Sequence, residues 1–318
     1  IDLRAWLKQY ATRRYGAFSP ATQKAWMLLL EGPYRQGTNG TEKSSIVAAR
    51  PALDVKKSGP NAGLEIPYDP ALIIRAQSLL LEDADKLSAS RPYRFDLVDV
   101  QRQMMTNLGQ LIHRKAAEAF RSKDREAFTL HSGRFLGMLA DMDTLLRTRS
   151  EYSFDRWLTE ARSWGETEEE KNQMERDATS LVTIWGADGD PRIFDYSWRE
   201  WAGLINGYYL PRWQKFYTML QQHLDEGTSY EEAGLPQIYG REAFRANDFY
   251  HTLAEWELSY VDTYGKARIP ATEGDEVDIV KRLFKKYFKL SQEYYTDSIK
   301  LIKPSRDERT YENLGEDL

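Results

Sequence analysis

The stretch WGADGDPRIFDYSWREW, residues 185–201, sets three tryptophans and a tyrosine around a short polar loop broken by Gly186, Gly189 and Pro191. Trp185 ends one helical pattern and Tyr196 opens the next, with Asp188, Asp190 and Asp195 nearby. An indole at a loop mouth can stack on the apolar C–H face of a sugar ring. Neighbouring carboxylates and hydroxyls can then bond the ring's hydroxyl groups, the usual make-up of a ligand pocket. That chemistry would make Trp185, with the surrounding acids and Tyr196, a ligand-binding group. A second arrangement fits the same residues: Trp185 closes a core layer and Asp195 caps the following helix. The residues alone leave both open.

Other chemistries find little support. His113, His131, His223 and His251 have no partner at ligand spacing, and no HExxH occurs. The absence of cysteine excludes disulfides, thiolate metal sites and a cysteine nucleophile. GxGxxG, the phosphate-loop pattern and GxSxG are missing, so no cofactor or metal is expected. Carboxylates abound, but runs such as TEEEKNQMERD from Thr167 read as a solvated helix start. A glycosidase needs two carboxyls held across one bond, and spacing on isolated helices nominates no such pair. No catalytic residue is therefore assigned. With 44 basic and 49 acidic residues the net charge is -5, which gives no pull toward nucleic acid. No apolar run approaches the roughly 20 residues that span a bilayer.

The elements that must position the loop read as helices. Asp2 caps a helix with Leu3, Trp6, Leu7 and Tyr10 on one face, and Gly16 stops it; Ser19, Pro20 and Gly32 delimit the next. Residues 33–68 lose the helical period and form a long irregular connection, in which 46–49 and 64–66 are possible short extended pieces. Asp69–Pro70 restarts helical structure. Further helices are expected over 95–121, 125–147, 154–164, 168–184, 197–207, 210–226, 241–263 and 276–302, with Thr167 and Glu170 forming a capping box. Trp6, Trp26, Trp157, Trp164 and Trp256 read as core or half-buried residues of these helices. Trp198, Trp201 and Ile205 form one stripe, and Trp213, Phe216, Tyr217 and Leu220 another. Gly133 and Gly137, four apart, suggest a close helix contact. The fold class is all-α: a single domain of about ten helices over 1–302, followed by a polar tail, 303–318. The chain opens at Ile1 inside a helical pattern, which reads as a piece of something longer.

TIWGADGDPRIFDYSWREWAGLINGYYLPRW resembles the C-terminal all-helical domain of the α-N-acetylglucosaminidases, glycoside hydrolase family 89. The pattern Trp185-Gly186, Asp195-Tyr196, Trp201-Ala202-Gly203-Leu204, Tyr208-Tyr209 and Pro211-Arg212-Trp213 carries the resemblance. DLRAWL, TRRYG, AWMLLL, ARPAL, YRFDLVDVQRQ and GDEVDIVKRLFKKY extend it in order along nearly the whole chain, except for much of 35–66 and the tail after about 290. The resemblance implies a parent enzyme that removes terminal α-linked N-acetylglucosamine with retention. Its catalytic glutamates would lie in a barrel domain absent here, so this chain alone is expected to be inactive. Barrel and N-terminal domains of the same parent, and a glycan, are the implied partners; an exported location (periplasmic, secreted or lysosomal) is implied as well. It also implies that Trp185, Asp195 and Tyr196 line one wall of the pocket. Arg212 and Arg50, each beside a proline in a matching motif, are candidates for ion pairs at the domain junction or for ordinary structural pairs. A purely structural scaffold docking on the barrel and a stand-alone carbohydrate-binding module are the alternative roles.

Overall fold

Caps written in the sequence start most helices of the computed structural model, which describes residues 2–35, 44–59, 62–185, 194–232, 247–263, 265–266 and 271–295. Asp2 accepts from the Ala5 N–H ahead of α1 (Leu3–Tyr15), and Gly16 ends it with φ 80°. Ser19 caps α2 (Pro20–Glu31), and Asp69 caps α3 (Pro70–Glu82). A short α4 (Ala84–Leu87) leads to α5 (Arg91–Arg121), which begins four residues before the expected 95 because Pro92 sits in its first turn. Asp124 caps α6 (Arg125–Leu146), Ser153 caps α7 (Phe154–Arg162), and the expected capping box opens α8 (Glu168–Leu181). The remaining helices are α9 (Leu210–Glu226), α10 (Asp248–Asp262) and α11 (Glu276–Tyr294). Residues 241–246 and 296–302 of the expected last helices, and the 303–318 tail, lie outside the described residues.

The long α5 is the axis of the fold. It pairs most extensively with α6, and α3, α11 and α1 also lie along it; α9 packs on α6, and α7 pairs with α8. Leu108, Ile112, Phe135, Leu139, Trp213 and Phe216 are fully buried where α5, α6 and α9 meet. Sheet structure among the described residues is one antiparallel pair of two-residue strands, β1 (Lys57–Ser58) with β2 (Ala62–Gly63). No described helix is long and apolar enough to cross a membrane.

Several expectations are corrected. Ile46–Ala49 form a turn, not an extended piece, and all four are buried inside the helices. A buried irregular segment must satisfy its backbone, and here side chains do it. Trp213 Nε1–H donates to the Val47 carbonyl (3.4 Å), an Arg212 guanidinium N–H to that of Ala48 (2.8 Å), and the Tyr250 hydroxyl to that of Pro51 (3.1 Å). Residues 197–207 are not a regular α-helix. The chain runs irregularly through 198–201, bridges Ser153 at Ala202, and then makes a π-helical turn over Ile205–Tyr209 that enters α9 directly. The bridge holds it: Phe154 N–H donates to Ala202 O (3.1 Å), and Ala202 N–H to Tyr152 O (2.8 Å). Trp164 is 83% exposed just past the end of α7, and Trp6 is 51% exposed. The buried stripe of α1 runs through Leu7, Ala11 and Tyr15, so Trp6 falls at its edge and stacks on Tyr10 at 5.2 Å. Gly133 and Gly137 face open space. The close contact belongs to Gly109, where a Cβ would meet Met138 Cε at 2.7 Å and Ile46 Cγ2 at 3.2 Å.

Candidate functional site

The 185–196 loop is tied at its base by backbone bonds. Trp185 N–H donates to Ser180 O (2.7 Å) beyond the end of α8, and Asp195 N–H donates to Thr183 O (2.7 Å). Both Trp185 and Asp195 adopt left-handed backbone, φ 42° and 55°. Such conformations cost L-residues of order 1–3 kcal/mol and persist only where surroundings enforce them. Asp188 and Asp190 lie outside the described residues. The loop base brings two expected residues together: the Trp185 and Tyr196 rings sit 4.8 Å apart, inclined at 55°. Trp185 is half-buried and Tyr196 is 44% exposed, so the pair presents aromatic surface at the edge of the fold.

Tyr196 also lines a cleft of about 500 Å³ with Ser197, Trp198, Arg199, Glu200, Trp201, Arg102 and Tyr152. Its polar floor is built from fixed partners. Glu200 is buried, accepting from Thr106 Oγ1 (2.7 Å), from Ser45 Oγ and from Arg102. Arg102 also bonds Asp99 (2.8 Å), which accepts from the Tyr152 hydroxyl (2.7 Å). Burial alone would raise the Asp99 pKa, but the adjacent Arg102 charge and the Tyr152 hydroxyl hold it below the usual aspartate value. Arg199 lies exposed at the rim, its guanidinium 5.9 Å from the Trp201 ring.

Asp195 sits differently. Its side chain is 1% exposed, and both carboxylate oxygens face Arg212 Nη1, at 3.1 and 2.9 Å. The carboxylate therefore points into the protein while its neighbour Tyr196 points out. Arg212 also bonds Glu257 of α10 (3.1 Å), and Glu257 bonds Arg50 (3.0 Å). Arg50 lies 4.3 Å over the ring of Phe194. Both arginines thus form ion pairs with carboxylates of this chain. Desolvation raises the Asp195 pKa to about 6; Arg212 opposes the rise and Glu257 adds to it. Burial would weaken protonation of Arg212, but the charge of Asp195, with Tyr208 and Glu257, keeps its pKa above the usual arginine value. Beneath the turn, Gly59 (φ 68°) lies so close that a Cβ there would meet Asp195 O at 2.8 Å.

Among the described residues no group of histidine, aspartate and glutamate side chains could hold a metal ion. Glu257, Gly59, Glu200, Arg102 and Tyr152 escaped the sequence reading. Glu257 sits in AEWELSY, where a carboxylate reads as part of a solvated helix face, and nothing local marks it as buried.

The family model of the alpha-N-acetylglucosaminidase (NAGLU) C-terminal domain matches residues 6–286. The chain belongs to this family. It is 31% identical over 293 residues to the human alpha-N-acetylglucosaminidase, a match that spans 90% of this chain and 36% of that protein. Among solved structures, a family 89 glycoside hydrolase from Clostridium perfringens in complex with a 2-acetamido-1,2-dideoxynojirimycin aligns over 95% of this chain and 32% of its own, with TM-score 0.78 and 25% identity. A second Clostridium perfringens structure, in complex with its substrate GlcNAc-alpha-1,4-galactose, aligns over 92% and 32%, with TM-score 0.79 and 26% identity. The chain thus spans about a third of the length of these NAGLU-type relatives. The all-helical C-terminal domain anticipated from the 185–213 motif is the fold observed.

Proposed function

We propose that this chain forms one wall of the active-site pocket of an exo-acting α-N-acetylglucosaminidase. The parent enzyme releases terminal α-linked N-acetylglucosamine with retention, through a glycosyl-enzyme intermediate formed on a carboxylate outside this chain. One observation carries the reading: the Trp185–Tyr196 pair stands partly exposed at a tied loop mouth beside a polar aromatic cleft. Trp185 packs on the sugar ring or its acetamide, and the Tyr196 hydroxyl supplies a polar edge. Asp195 supports the pair from behind, since its carboxylate faces inward. Barrel and N-terminal domains of the same parent complete the pocket, and the enzyme is exported.

The test is kinetic. Trp185→Ala in the full-length enzyme is expected to lower kcat/KM for an aryl α-N-acetylglucosaminide by on the order of a hundredfold with the fold intact. A scaffold role predicts lower stability but unchanged kinetics for the folded fraction, and that result would refute the pocket-wall reading. The isolated chain is expected to show no turnover, and only weak binding or none when titrated with N-acetylglucosamine. Tight binding would instead favour a stand-alone carbohydrate module.

A further inference from the structure

The sequence Phe194-Asp195-Tyr196 sends two side chains in and one out. Phe194 is 1% exposed beneath Arg50, Asp195 is 1% exposed against Arg212, and Tyr196 is 44% exposed. Between them lies a left-handed residue that is not glycine, Asp195 at φ 55°. The two arginines that grip Phe194 and Asp195 are joined by one carboxylate, Glu257, at 3.0 and 3.1 Å. The cluster therefore ties together four segments: the buried 46–53 turn, the 194–196 turn, the first turn of α9, and α10.

Two arginines and two carboxylates balance in charge, yet burying four charges is expensive. Well-packed apolar residues would serve stability as well or better. What apolar packing does not supply is direction. An ion pair with both carboxylate oxygens on one guanidinium nitrogen fixes where Asp195 sits, and Arg212 is itself fixed by its bond to the Ala48 carbonyl at 2.8 Å. Gly59 packs against the turn from below, where an added Cβ would meet Asp195 O at 2.8 Å. Thr183 holds the same residue's N–H from the Trp185 side.

We propose that the Arg50–Glu257–Arg212–Asp195 cluster aims the Trp185–Tyr196 pair, with Asp195 as its positioning residue. This rests on the sugar-facing reading of that pair. Asp195 acts through Tyr196 and touches no substrate.

Two readouts test it. On this chain, the near-ultraviolet circular dichroism difference between native protein and Trp185→Phe isolates the band of Trp185 against Tyr196. The same difference measured in an Asp195→Asn background is expected to lose most of that band, while the far-ultraviolet helical signal persists. In the full-length enzyme, Asp195→Asn is expected to raise KM for an aryl α-N-acetylglucosaminide by on the order of tenfold or more, at temperatures where the variant is fully folded. Glu257→Gln, one contact further from the loop, should shift both readouts in the same direction and by less. A folded Asp195→Asn variant with the native Trp185 band and native KM overturns the proposal. Should Asp195→Asn fail to fold, Glu257→Gln decides by the same criteria. If the band is lost but neither Asp195→Asn nor Trp185→Ala changes KM, the positioning stands and the sugar-facing reading fails instead.

Discussion

Two aromatic-rich regions of this molecule are held by different physics. Where α5, α6 and α9 meet, Phe135, Trp213, Phe216 and Tyr217 sit on regular helices with ring centroids 4.7–6.2 Å apart, all buried. Around the 185–201 stretch the rings of Trp185, Tyr196, Trp198 and Trp201 ride on irregular backbone and remain partly exposed, close to the buried charges of Asp195 and Arg212. In the first region helical period and apolar area are enough to place each ring. In the second the rings stay partly exposed, and ion pairs and backbone bonds hold the chain beside them.

Single substitutions should separate the two. Phe135→Ala and Arg212→Met should have the largest effects. The first leaves a cavity and is expected to cost about 3–5 kcal/mol. The second strands Asp195 and leaves Glu257 with Arg50 alone, at a cost of about 3–5 kcal/mol. Denaturant unfolding measures both, and near-ultraviolet circular dichroism distinguishes them: Arg212→Met should disturb the Trp185 band, and Phe135→Ala should leave it intact. Equal disturbance by both would erase the contrast between the regions.

Next in size are two opposed pH dependences. Burial pushes the pKa of His113, in the helical core, down from 6.5 to about 4. Above pH 6.5 neither state binds the proton and its contribution is whole. As pH falls the unfolded chain protonates first, so stability is lost down to about pH 4, by roughly 2–4 kcal/mol. Asp195 runs the other way, its pKa raised from 3.8 to about 6 by burial. Its contribution is fully present below pH 3.8 and is lost as pH rises through about 6. Unfolding free energies measured from pH 7 to 4 should therefore fall less steeply with acid in His113→Phe than in the native protein, and more steeply in Asp195→Asn. Parallel curves for all three would show that neither group titrates as its burial requires.

The smaller effects concern glycines. Gly109→Ala drives a Cβ into Met138 and Ile46 and is expected to cost about 1–3 kcal/mol, despite alanine's higher helix propensity. Gly133→Ala meets open space and should stabilise by about 0.5–1 kcal/mol. Thermal unfolding of the two variants gives opposite signs if the packing is as described.

Much of the fold was legible in local sequence. Asp2, Ser19, Asp69 and Thr167 each cap the helix they announce, because a cap bonds within its own first turn. The 185–196 motif was legible as a place, and Trp185 and Tyr196 do meet there. Helical spacing misled at 197–207, where an i, i+3 pattern of tryptophans lies on non-helical chain held by the Ser153–Ala202 bridge. It misled again at Trp6 and Trp164, whose faces find no covering element among the described residues. Nothing local marked Glu257, because burial of a carboxylate depends on two arginines, 207 and 45 residues away in sequence.

By itself, then, the amino-acid order determined where most helices begin, that the chain is all-α, and which stretch gathers aromatic and polar groups. Those properties arise from interactions spanning a few residues. Tertiary structure alone decided that Asp195 turns inward while Tyr196 turns outward, and that the irregular 46–53 segment is core. Both outcomes require partners from distant segments to share one small volume, and no local pattern encodes that meeting.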